Sequence, residues 1–450
     1  MGGEAPIPHD PRWAVVSLKD IATKVGSGAT PRGGSATYLP VRSRYSLVRS
    51  QNVFDRRFDE SGLAFISDEQ AAKLRNARIQ EGDVLLNITG DGVTFGRSCL
   101  APPDVLPACV NQHVAIIRVA RDRADPGYVA SVLANPDIKS YIESYNAGGS
   151  RRAITKGHIE SFRLPLPPLP VQRAIAHILG AFDDKIELNR RMNETLEAIA
   201  RAIFKSWFVD FDPVRAKAEG RDPGLPDHLA ALFPDSFEES ELGETPAGWI
   251  DSALGRVSKQ SRETARPEEI SSEEAYIGLQ QMPQHSIALP EWISAEGIGS
   301  NKYRFSRGDI LFGKLRPYFH KVGVAPVNGV CSTDIVVMTP KEQFWFAFVL
   351  GHVSSSEFVR YTTALSAGTR MPRTNWKDMA AFPIALPPVA LARAFDRLVR
   401  PMVDRIVAGI YQSNTLVQLR DTLLPKLISG ELRIEDPGRF LEEEKEEVVA

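Results

Sequence analysis

The chain has 450 residues, 43% hydrophobic and 24% charged, with 54 Lys and Arg against 56 Asp and Glu. That length exceeds one ordinary core, so at least two domains are expected, and the composition excludes a fibrous or mostly disordered protein. Three cysteines without CxxC spacing and eight histidines without an HxxxH pair argue against a disulfide framework and structural zinc. The absence of an apolar run of about 18 residues and of a signal-peptide pattern points to a cytoplasmic protein with no membrane partner.

In chain order, residues 1–165 form a first block of net charge +4. Within it 83–89 and 113–119 have strand character, and 126–145 has helical character. The glycines from Gly26 to Gly34 enclose Pro31 and lack GxGxxG spacing, so they suit a turn-rich loop rather than a cofactor cradle. Residues 166–211 open on Leu166-Pro167-Pro168. Apolar residues then recur mostly every three or four positions, at Ile175, Ile178, Phe182, Ile186, Met192, Leu196, Ile199, Ile203 and Trp207, the seam of a long spacer helix. Residues 212–247, rich in Pro, Gly and acidic residues, lack a sustained period and are expected to be a connector. The span 166–247 has net charge −6.

Residues 248–384 form a second block, of net charge +2, with strands expected at 309–313 and 334–339 and a helix at 344–363. Residues 385–430 make a second helical region, where Pro401 and Pro425 should divide or end the helix. Residues 431–450 are an acidic tail, expected to be frayed from 441 onward. From 385 to the end the net charge is −2, so two mildly basic blocks alternate with two acidic ones.

That alternation reflects a repeat. Leu166-Pro167-Pro168 recurs as Leu386-Pro387-Pro388, a shift of 220, and the same shift carries Gly148 to Gly368, Phe162 to Phe382 and Arg173 to Arg393. Tyr128, Val129 and Tyr141 fall on Phe348, Val349 and Tyr361, while the second seam, Phe395, Leu398, Met402, Ile406, Leu416, Leu419, Leu423 and Leu427, keeps the register of the first. Upstream the shift drifts to 226 for Gly82-Asp83-Val84 and to 236 for Trp13 and Trp249. Two matching seams most simply pack on each other, with Asn189 and Gly409 interrupting them, although each helix could also face its own domain. The expected fold is therefore mixed α/β, with two tandem domains joined by long antiparallel helices in a pseudo-two-fold repeat.

Several chemistries lack their residues. There is no P-loop and no Asn-Pro-Pro-aromatic or Asp-Pro-Pro-Tyr tetrad of the amino-methyltransferase kind. The nearest approach to a nuclease site, Asp104 with Asp137 and Lys139, has long spacing, with Asp104 in a Pro-rich turn and Asp137 at a helix start. Asp183-Asp184-Lys185 suits the solvated face of the seam helix.

Residues suited to DNA lie where each block leaves its strands. Arg42, Arg44, Arg49, Arg56 and Arg57 are interleaved with Tyr45, Gln51, Asn52 and Phe54; guanidinium groups engage phosphates or guanine edges, and Gln or Asn can pair with adenine, though a solvated edge would read the same way. Asn87, Thr89, Asp91 and Thr94 lie in a Gly-rich turn that short polar side chains could equally cap. In the second block Lys314, Arg316, Tyr318, His320 and Lys321 follow a strand, with Pro317 fixing φ between a cation and an aromatic. Before each Leu-Pro-Pro segment stands a polar loop, Ser150-Arg151-Arg152 in one copy and Thr369-Arg370 with Arg373 and Asn375 in the other.

Taken together these residues resemble the DNA specificity subunits of type I restriction-modification systems. The resemblance spans almost the whole chain and rests on Leu166-Pro167-Pro168 with Val171-Gln172-Arg173, the run from Phe204 through Trp207 and Phe208 to Val214, Gly313-Lys314-Leu315-Arg316-Pro317-Tyr318, and the run from Leu423 to Gly430. It implies two target-recognition domains, each reading half of a split double-stranded DNA site, and helices that bind two methyltransferase subunits, to which restriction subunits then join. On that reading Ile175, Ile178, Phe182, Trp207, Phe208, Phe395, Leu398 and Leu427 are expected on the docking helices. The chain itself would be non-catalytic, with S-adenosylmethionine, ATP and Mg on the partner subunits. The second copy departs from the pattern at Ala392, opposite Gln172. The rival expectations are a specificity subunit of another restriction class, a DNA-cleaving enzyme in its own right, and a helical scaffold that never touches DNA.

Overall fold

The computed structural model describes residues 7–90, 93–145, 152–366, 368, 371–440 and 442. It divides into two compact units, Met1–Lys185 with Leu416–Ala450, and Ile186–Thr415. No helix among the described residues is long and apolar enough to cross a membrane.

Unit 1 is built on a four-stranded antiparallel sheet in the order Ala22–Ser27, Val114–Val119, Val84–Asn87, Ser98–Leu100. Val114–Val119 is almost wholly apolar because both its faces are covered. Ala115, Ile117 and Val119 join Val84 and Leu86 against helical Tyr128, Val129 and Leu133. Val114, Ile116 and Leu85 face Val48 and Val110 of a second, three-stranded sheet made of Ala108–Val110, Tyr45–Val48 and Ala64–Ile66.

Unit 2 repeats this plan. Its four strands run Ser258–Ser261, Ile335–Pro340, Ile310–Gly313, Val322–Val324, and a five-stranded sheet lies behind them. Ile310, Phe312, Val336 and Met338 pack toward the helices, and Leu311, Ile335 and Val337 toward the second sheet.

Both expected mid-domain helices are broken in two. Pro126–Leu133 is followed by Pro136–Ser144, and Phe346–Val353 by Ser356–Ala364. At the first break Pro136 disfavours a helical Asn135, whose side chain instead accepts from the Asp137 amide at 2.8 Å. At the second, Ser355 accepts from the Phe358 amide at 3.1 Å.

Each Leu-Pro-Pro segment ends a short strand that closes its domain. Arg163–Leu166 pairs antiparallel with Ala14–Ser17, and Pro383–Leu386 with Ile250–Ala253. The long helices Leu169–Phe208 and Val389–Ser429 follow. In unit 1 Ile175 and Leu179 share a core with Leu424, Leu427 and Ile428. In unit 2 Asn189 donates to Ser413 Oγ at 3.2 Å, and Gly409 leaves room for Asn193, whose Oδ1 would lie 2.9 Å from an added Cβ. Those pairings run in opposite chain directions, which makes the helices antiparallel there.

Two expectations fail here. Pro401 and Pro425 neither divide nor end the second helix, which continues to Ser429. A helical proline loses one hydrogen bond and crowds one carbonyl, and the buried Val399, Val403, Leu424 and Leu427 hold the helix across both sites. The connector 212–247 is also more ordered than its composition suggests. It contains helices Asp212–Ala218 and Asp227–Ala230 and a hairpin of Phe237–Ser240 with Gly243–Pro246. Its aromatics have no period because each enters the core from a separate segment: Phe233 meets Trp207 at 5.1 Å and Phe237 meets Phe211 at 6.3 Å.

Candidate nucleic-acid interface

Equivalent corners of the two units gather several of the predicted polar residues. In unit 1 Thr89–Gly90 pairs with Arg152–Ala153 beside the turn that enters Val114–Val119. His113 sits at that entry, its backbone oxygen accepting from the Ile88 amide at 3.0 Å. A polar chain runs across the corner: Thr30 Oγ1 donates to Gln112 Oε1 at 2.6 Å, Gln112 Nε2 lies 3.1 Å from His113 Nε2, and His113 Nδ1 lies 2.6 Å from Thr89 Oγ1. Arg152 is ion-paired with Glu143 at 2.6 Å.

In unit 2 Asp334 takes the place of His113, its backbone oxygen accepting from the Lys314 amide at 2.9 Å. Leu315 bridges to Arg373, whose Nε donates to Asp334 Oδ1 at 3.0 Å. Arg316 and His320 stand at either end of the turn Pro317–Phe319 with φ of 51° and 52°, a left-handed conformation that aims the exposed Tyr318 outward from a tight loop. Asn375 caps the helix Trp376–Ala380 by accepting from the Asp378 amide at 3.1 Å. Asp91, Ser150, Arg151, Thr369 and Arg370 lie outside the described residues.

The arginine-rich loop divides between surface and interior. Arg44 lies over Tyr45, and the half-buried Arg57 lies over Phe54, whose ring also carries Arg97, each guanidinium 4.5 Å from its centroid. Arg42 donates to the backbone oxygens of Asp104 and Leu106 at 2.9 and 2.8 Å. Arg49 and Gln51 both donate to the Gly62 oxygen.

Four expected contacts turn inward instead. Asn52 is fully buried and donates to the Asp59 and Ser61 oxygens, so it folds its own turn. Arg56 has a side chain only 8% exposed and is held by Asp183 at 2.5 Å and Ser131 at 2.6 Å. His320 is buried, with Nε2 2.9 Å from the Ser354 oxygen, and burial holds its pKa below the usual histidine value. Lys321 donates to the Leu279 oxygen, and burial lowers its pKa too.

Asp183 therefore belongs to the interior rather than to a solvated face. Its other oxygen accepts from Arg420 at 2.8 Å, so one carboxylate ties the arginine loop to both long helices within unit 1. Glu197 does comparable work in unit 2, accepting from Ser286 Oγ and from the Ile287 and Ala288 amides, while burial raises its pKa.

The docking residues are corrected in the same way. Ile175 and Leu427 lie in the core of unit 1, and Trp207, Phe208 and Phe395 in that of unit 2, where no partner can touch them. Ile178 and Phe182 are half-buried. Leu398 is exposed, as are Leu188, Ile199, Val389 and Leu419, among the apolar residues that these helices turn outward. Gln112 and Asp334 escaped the sequence reading, although both lie in short polar stretches between two apolar strands at matching places in the repeat. Of the nuclease candidate residues, Lys139 is ion-paired with Asp55.

Residues 11–198 match the family model of the type I restriction modification DNA specificity domain. The Type I restriction enzyme MjaIX specificity subunit of Methanocaldococcus jannaschii is 26% identical, over 96% of this chain and 95% of its own. The HindI specificity subunit of Haemophilus influenzae is 24% identical, over 86% of this chain and 94% of its own. In fold the chain is similar to a crystal structure of the type I restriction-modification S subunit from M. genitalium, with a TM-score of 0.58 and 13% identity over 94% of this chain and 99% of that one. Residues 11–198 thus match a type I restriction modification DNA specificity domain, and the chain as a whole is similar to type I specificity subunits in sequence and to that S subunit in fold.

Proposed function

We propose that this chain is the non-catalytic DNA-reading subunit of a restriction-modification complex, with each unit reading one half of a bipartite duplex site. The observation that carries this reading is the structural repeat: a four-stranded sheet backed by a second sheet, a broken helix and a polar corner occur twice, with different side chains at each corner. Repetition of scaffold with variation of polar side chains is what two half-sites of different sequence require. Arg44, Arg57 and Arg97 in unit 1 and Lys314 and Arg316 in unit 2 would contact phosphates, while Gln51, Thr89, Thr94 and the corner residues would face base edges. Modification subunits would supply S-adenosylmethionine and restriction subunits ATP and Mg.

The modification subunits would dock on the outward apolar residues of the long helices. A shallow groove lined by Arg191, Glu194, Thr195, Ala198, Ile199 and Ala202 offers one such surface. Co-production with the cognate modification subunits and mapping of methylated bases tests the whole reading. A bipartite methylated site is expected, and methylation without any sequence preference would refute it. Ile199→Glu should reduce co-purification of the modification subunit at least tenfold while the chain remains folded; undiminished co-purification would move the docking surface elsewhere.

A further inference from the structure

We propose that Asp334 and Arg373 act as one unit that reads a G·C base pair in the second half-site. The inference rests on the DNA-reading role above and specifies its chemistry at one corner. Arg373 is attached to Asp334 only through Nε, at 3.0 Å from Oδ1. Among the described residues Arg373 Nη1 and Nη2 and Asp334 Oδ2 have no hydrogen-bond partner, and the two side chains are 47% and 27% exposed. The pair therefore offers two donors and one acceptor side by side. In the major groove guanine presents two acceptors, O6 and N7, and its paired cytosine presents the N4 donor beside them. An adenine in place of the guanine would set its N6 donor against an arginine donor.

Both residues are placed before any DNA arrives. Asp334 is fixed by the Lys314 amide on its oxygen and by its own amide on Ser332 Oγ at 3.2 Å. Arg373 is fixed by the bridge to Leu315, and the next amide, of Thr374, donates to the Lys314 oxygen at 3.1 Å. A fork held by a carboxylate loses little freedom on binding, which favours specificity over mere attraction. The equivalent corner of unit 1 holds His113, Gln112 and Thr89, with a histidine where unit 2 has the Asp334 carboxylate. Changes to Asp334 or Arg373 should thus alter one half-site only, and the other half-site serves as an internal control.

The test is selection from a randomised duplex library by the full-length chain in complex with its modification subunits, comparing the native protein with Arg373→Lys and Asp334→Asn. The native complex should enrich a bipartite site with a fixed G·C pair in its second half. Each variant should lose preference at that one pair by about tenfold or more and keep every other position. Arg373→Lys retains the charge but not the fork, so it separates base reading from phosphate attraction. A uniform loss of affinity with the G·C preference intact overturns the proposal, as does a second half-site without G·C or an Arg373→Lys variant that abolishes the whole half-site. If the native complex enriches no sequence at all, the DNA-reading role itself fails.

Discussion

Asp183 holds two guanidinium groups with one carboxylate, Arg56 at 2.5 Å and Arg420 at 2.8 Å, and all three side chains are less than one-fifth exposed. Removing the carboxylate leaves two neighbouring cations that water reaches poorly. Asp183→Ala should destabilise unit 1 by roughly 3 kcal/mol, whereas Arg57→Ala, which loosens a half-exposed pair with Asp59, should cost less than about 1 kcal/mol. Urea denaturation followed in unit 1 measures both, and equal small effects would show that the clamp is not buried in solution. His352 supplies a test of the opposite polarity. It is packed between Phe204 and Phe348, and burial depresses its pKa from 6.5 to about 3. The folded state therefore disfavours protonation that the unfolded chain accepts. Its contribution to stability is complete above pH 6.5 and falls away as the pH drops from there toward 3. His352→Phe should flatten that acid loss in unit 2; an unchanged pH profile would remove His352 as its source.

At the scale of elements, the close pairing of the long helices in unit 2 depends on Gly409 facing Asn193. An added Cβ would sit 2.9 Å from Asn193 Oδ1, so Gly409→Ala is expected to lose by contact what it gains in helix propensity. With Asn193→Ala also present the contact is gone, and Gly409→Ala should then stabilise by about 1 kcal/mol. A double-mutant cycle in thermal unfolding reads the coupling, and simple additivity would count against the pairing. Such helices were legible in the sequence because their apolar spacing is local and sustained. So were the strands at 83–89 and 113–119, where two buried faces leave a continuous apolar run. Gln172 and its counterpart show what was not legible. Gln172 accepts from the Asp125 amide at 2.9 Å, and where the second copy has Ala392 the task passes to Asp396, which accepts from the Ala347 amide at 3.1 Å. A residue one turn farther along the helix reaches the same backbone, which alignment by position cannot reveal. The inward turn of Arg56 was hidden for a similar reason, since its partner lies 127 residues away and its φ of 59° is set by the folded loop.

At the scale of the molecule, each compact unit combines segments from both repeats. Unit 1 takes its domain and the start of the first long helix from the first copy and the end of the second helix from the other, while unit 2 spans the remainder. Exchanging residues 1–165 for the corresponding domain of another specificity subunit therefore leaves Asp183, Arg420 and Gln172 in the recipient. The incoming domain must bring an arginine where Arg56 stands and free backbone groups where Asp125 meets Gln172. A domain that does so should fold, change the first half of the recognised site and leave the second half as it was. One that lacks the arginine should be destabilised, because the Arg56–Asp183 pair and the bond to Ser131 are lost and Asp183 keeps Arg420 alone, and placing arginine at that position of the incoming domain should restore the loss. Methylated-base mapping of both chimeras, with and without that arginine, distinguishes these cases. Loss of both half-sites from a folded chimera would mean that the two units do not read DNA independently.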